Sequence, residues 1–108
     1  MANWSRRYLA MPDIRERSQM IKEAVSIATG VPVRRMMADH RQHEETKARR
    51  CALDLHMENL GFMGKNWACD QLGMTSRRFS DYEVRLRVEP EIKEDAQALY
   101  DKMVKDDD

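Results

Sequence analysis

Lys65-Asn66-Trp67-Ala68-Cys69-Asp70-Gln71-Leu72-Gly73-Met74-Thr75-Ser76-Arg77-Arg78-Phe79-Ser80-Asp81-Tyr82 is the stretch whose reading decides the fold. It predicts two short helices that cross at a glycine turn. Ala68 and Leu72, four apart, share one face of the first helix. Cys69 supplies a small residue where a second helix can cross. Gly73 follows four residues later, where the backbone prefers positive φ. Met74 can plug the turn, and Thr75 or Ser76 can cap the next helix. Phe79 and Tyr82, three apart, can anchor that second helix against the first.

Outward from this stretch the pattern stays helical. Pro12 suits the first turn of a helix. Ile14, Ile21, Val25 and Ala28 then recur on one helical face. Gly30 is a fitting stop, and Pro32 prevents continuation. Val33 to Ala38 predicts a short helix with Met36 and Met37 as its apolar content, and Asp39 to Glu45 reads as a polar loop. A third helix is expected from about Thr46 to Asn59, with Ala48, Cys51, Ala52 and Leu55 as its stripe. Gly61 and Gly64 bracket a connection carrying Phe62 and Met63. After the glycine-turn pair, Pro90 separates a last helix, about Glu91 to Lys105, with Ile92, Ala96, Leu99, Tyr100 and Met103 on one side. Only Val31-Pro32-Val33 is β-flavoured, and proline breaks it. The expectation is an all-α domain of five to six helices, with residues 1–88 as the main body and 89–108 as an additional acidic C-terminal helix and tail.

Composition agrees with one small domain. The chain has 108 residues, 42% hydrophobic and 35% charged, enough to bury roughly two-thirds of its unfolded surface. Its 19 Lys+Arg balance 19 Asp+Glu, but unevenly. Residues 1–88 hold 16 basic and 11 acidic side chains, whereas 89–108 hold 3 and 8. A basic body with an acidic end keeps a polyanion partner in view despite zero net charge. No apolar run is long enough for a membrane span. No apolar segment follows Arg6-Arg7, so no secretory signal is expected. Two cysteines make no disulfide framework, and a cytoplasmic setting with reduced thiols follows as the expectation.

The stretch at 65–82 resembles a DNA-binding helix-turn-helix. In that motif the N-terminal end of the second helix reaches base edges in the major groove. Thr75, Ser76, Arg77, Arg78, Ser80 and Asp81 would then lie at the interface, since arginine can grip guanine with two bonds and serine can read either kind of edge. Arg85 and Arg87 would suit phosphates. Two short helices packed at a glycine turn without a DNA role are the alternative reading of the same residues.

A wider resemblance surrounds it. Val25-Ser26-Ile27-Ala28-Thr29-Gly30-Val31-Pro32-Val33-Arg34-Arg35-Met36-Met37-Ala38-Asp39-His40-Arg41 resembles the opening of the DNA-binding C-terminal domain of the bacterial replication initiator DnaA. Lys47-Ala48-Arg49-Arg50-Cys51-Ala52-Leu53-Asp54-Leu55 is similar to that family's arginine-led helix. The likeness runs in the family's order from Ile21 to Leu86, 66 of 108 residues. It implies duplex DNA as partner, with Arg41, Lys47 and Arg49 on phosphates and the minor groove. Arg50 stands where the family usually has a polar residue. The family's Gly-Arg-Asp-His-Ser/Thr-Thr-Val signature is replaced by Gly73-Met74-Thr75-Ser76-Arg77-Arg78-Phe79, with a turn about one residue shorter. The resemblance therefore implies architecture and phosphate contacts rather than a particular operator. No phosphate-cradling P-loop is present, so the ATPase of the initiator is not expected.

Other groups read as structural. His40 and His43, beside Asp39 and Glu44, are expected as surface histidines and not metal ligands. His56 lies off its helix stripe and is expected to be exposed. Cys51 and Cys69 fall on core-facing positions. Trp67 suits a core or a partner surface, and most of the nine methionines suit core filling. No catalytic constellation, metal or cofactor is expected. The functional expectation is a sequence-specific double-stranded DNA-binding protein regulating transcription or replication. Its alternative is a protein-interaction module on the same scaffold. The last helix could cover this chain's own core or form a homodimer.

Overall fold

A computed structural model describes residues 14–37, 43–74 and 88–107, excluding the side chains of His43 and Asp107. Five α-helices and one 3-10 turn appear there, and no strand among the described residues. They are α1 (Ile14–Thr29), α2 (Val33–Met37), α3 (His43–Leu60), the 3-10 turn Gly61–Met63, α4 (Lys65–Gln71) and α5 (Pro90–Asp107). The all-α expectation holds. The expected helix starting near Ser76, with Phe79 and Tyr82, lies outside the described residues.

Helix α3 is the axis of the fold. Cys51, Ala52 and Leu53 are consecutive and all fully buried. At 100° per residue they cover most of the helix circumference, so α3 is wrapped rather than one-sided. Helix α1 lies against it with Ile21, Ala24 and Val25 fully buried. Helix α5 pairs chiefly with α1, through Ala96 and Tyr100, with Ile92, Leu99 and Met103 half-buried beside them. The stripe on the last helix thus packs, through Ala96 and Tyr100, on this chain's own first helix.

Two corrections concern α3. The segment expected as loop up to Glu45 is helical from His43. Glu44 and Glu45 occupy its first turn, where carboxylates favour the positive end of the helix dipole; their polarity resembled a loop. His56, expected at the surface, has no exposure at all. A stripe reading assumes one buried face, and α3 has nearly all faces covered.

Glycines end the helices as expected. Gly30 and Gly73 have φ of 78° and 66°. At the end of α4 the Gly73 N–H donates to Asp70 O (3.1 Å) and the Met74 N–H to Cys69 O (3.0 Å). These are the two bonds of a Schellman stop. Met74 is 7% exposed and Cys69 1%, and both belong to the buried core. At the end of α1 the Thr29 hydroxyl donates to Val25 O (2.7 Å) and accepts from the Val31 N–H (3.3 Å).

Polar ties link the helices where apolar packing stops. Asn59 on α3 and Gln97 on α5 exchange amide bonds in both directions, at 2.7 and 2.9 Å. Lys93 of α5 is ion-paired to Glu58 of α3. That hydrogen bond and charge raise the Lys93 pKa.

Candidate nucleic-acid interface

The described part of the glycine-turn pair has the packing its sequence predicts. Ala68, Cys69 and Leu72 are each 1% exposed, so α4 lies on the core by one face. The Schellman stop then fixes the direction in which the chain leaves at Met74. Helix α2 abuts this turn: a Cβ built on Gly73 would lie 3.7 Å from the Met37 carbonyl oxygen and 3.9 Å from its Cε. Those are ordinary contacts, so it is the positive φ and not crowding that asks for glycine.

Of the expected DNA-contacting residues, Arg41, Thr75, Ser76, Arg77, Arg78, Ser80, Asp81 and Arg85 lie outside the described residues. Lys47, Arg49 and Arg50 are described, and all three are engaged within the protein. Lys47 is ion-paired to Glu89, just before α5. With Ala28, Val31 and Ile92 these two line a cleft of about 240 Å³ between the end of α1 and the starts of α3 and α5. Arg49 is 2% exposed, with Nη2 3.5 Å from the Thr46 hydroxyl. Arg50 Nε donates to Asp54 Oδ1 at 3.0 Å, one helical turn on. Burial raises the Asp54 pKa, against the opposing pull of Arg50.

Two basic residues that α2 presents to solvent were not singled out by the sequence. Arg34 and Arg35 are exposed neighbours on α2. Arg35 reaches α3, its Nη2 3.1 Å from Oε1 of the buried Glu45. Oε1 of Glu45 is thus charge-paired, whereas its Oε2 is buried without a hydrogen-bond partner among the described residues. The only prior signal was the Arg34-Arg35 pair itself, masked by the apolar Met36-Met37 that follows.

A second buried polar group holds the site's scaffold together. His56 Nδ1 donates to Ala52 O at 2.7 Å, and its Nε2 accepts from the Ser18 hydroxyl at 2.7 Å. The carbonyl can only accept, which fixes the tautomer. Burial pushes the imidazole pKa down to about 4, so the ring is neutral at pH 7. Its ring centroid lies 6.1 Å from that of Trp67 on α4, tilted by 52°. Trp67 is half-buried, so His56 ties α1, α3 and α4 at one point. Cys51 and Cys69 are buried free thiols. Burial raises both pKa values, that of Cys51 to about 12, so they pack as small apolar groups.

Among the described residues no cluster of three or more His, Cys, Asp or Glu could hold a metal ion. No described helix is long and apolar enough to cross a membrane. Comparison of the chain with known proteins gave no matching family, no matching curated protein and no matching solved structure.

Proposed function

We propose that this chain is a small double-stranded DNA-binding protein that reads the major groove with the residues following the Gly73 turn. The observation that supports this reading is the Schellman-stopped α4. Cys69 is small and buried and Gly73 is left-handed, features that the first half of a helix-turn-helix would need. The resemblance to the DnaA DNA-binding domain supports the same reading over Ile21 to Leu86. The role would be regulation of transcription or replication.

In this reading Arg77 and Arg78 carry base preference. The test is a gel shift on random duplex DNA at several salt concentrations, followed by selection of preferred sites. Wild-type protein shifts DNA with an affinity that falls steeply with salt. Arg77→Ala costs about 1–3 kcal/mol on the preferred site and relaxes preference there. No salt-dependent shift by the folded protein refutes the proposal. A protein-interaction module on the same scaffold is the second reading. It is favoured by the engagement of Lys47, Arg49 and Arg50 within the fold, and predicts no shift at any salt.

A further inference from the structure

Helix α2 carries a basic side chain on the side that meets the Gly73 turn. Met37 touches that turn, and Arg34, three residues earlier, shares its face of the helix. Arg35 is rotated away by one residue and reaches Glu45 on α3. Arg34 is exposed and has no ion-pair partner among the described residues. The two neighbours therefore differ in what is left of their charge. The Arg35 guanidinium is matched by a carboxylate 3.1 Å away, and the Arg34 guanidinium is unmatched.

Resting on the DNA-binding reading above, we infer that Arg34, on the helix that abuts the Gly73 turn, is a phosphate-contacting residue that grips the duplex backbone. Arg35 is not a contact; it pins α2 to α3 through Glu45. The chemistry is that of a planar cation with several donors facing a phosphodiester, a geometry guanidinium satisfies with paired hydrogen bonds. A phosphate contact adds affinity without sequence preference, because every duplex presents the same backbone. It also replaces one condensed counterion, which makes its contribution readable in the salt dependence.

The experiment measures duplex affinity from 50 to 200 mM salt for the full chain and for Arg34→Ala, Arg34→Lys and Arg35→Ala. Circular dichroism confirms the fold of each variant. Arg34→Ala is expected to weaken binding to all duplexes alike and to lower the salt slope by about 0.9. The gap to wild type then narrows about 3.5-fold across that salt range. Arg34→Lys keeps the slope, because the charge remains. Arg35→Ala lowers stability and leaves the slope of the folded protein unchanged. Wild-type binding with an unaltered Arg34→Ala slope overturns the inference and leaves the DNA reading standing. Equal slope changes from Arg34→Ala and Arg35→Ala overturn the one-sided assignment. Absence of any wild-type binding overturns both.

Discussion

Acidification should weaken this fold through a single imidazole. His56 is fully buried, donates to Ala52 O and accepts from Ser18. In the unfolded chain it takes a proton near pH 6.5; in the fold it does so only near pH 4. Between those values the unfolded state binds more protons, so stability is full above about pH 6.5 and falls as the pH drops toward 4. Below about 4 both states are protonated and this contribution is fully lost. The gap converts at about 1.36 kcal/mol per pH unit to about 3 kcal/mol. That is a large share of the roughly 5–15 kcal/mol expected of a small domain. The assay is urea unfolding followed by circular dichroism across pH 4 to 8. Carboxylates titrate at the acid end, so the comparison is with Ser18→Ala/His56→Leu, which removes both hydrogen-bonding partners together and leaves neither group unsatisfied. The difference in stability between the two proteins should change by about 3 kcal/mol over the window. A flat difference, or a folded-state His56 resonance titrating near 6.5, would refute the reasoning.

Three further outcomes follow from the geometry. Gly73→Ala should cost about 1–2 kcal/mol, from the left-handed backbone and not from a clash, read as a lowered urea midpoint with helix content kept. In native protein at pH 8, Cys51 should resist iodoacetamide that labels it promptly in denaturant, because its thiol is pushed up to about 12. In a double-mutant cycle, Asn59→Ala and Gln97→Ala should couple by about 0.5–3 kcal/mol, since the two amides satisfy each other.

The helix boundaries were legible where a residue has one conformational use. Gly30, Pro32, Gly73 and Pro90 marked breaks that the structure keeps, and Ala68, Cys69 and Leu72 gave the buried side of α4 correctly. The errors share a cause. A stripe of apolar residues tells which side of a helix is surely buried, and says nothing of the other sides when the helix is central. For that reason His56 read as solvent-facing on α3; Arg49, a DNA contact only by resemblance, is buried on the same helix. Lys47 and Arg50 were legible as charges, but not the carboxylates that meet them. Asp54 is local, one turn away; Glu89 is brought by the fold from 42 residues along the chain. Arg34 needed the contact between α2 and the turn, which has no signature in sequence spacing.

The pairing of α1 with α5 has a consequence in time. These are the first and last described helices, and residues 30–89 separate them. A ribosome adding 5–20 residues per second takes roughly 3–12 s to cross that interval. Throughout it, the side of α1 destined for Ala96 and Tyr100 has no mate, though α3 can already dock on the neighbouring side. The nascent chain thus passes through a stage with an apolar flank open to chaperones or to another nascent chain. Codon choice between Gly30 and Glu89 sets how long that stage lasts.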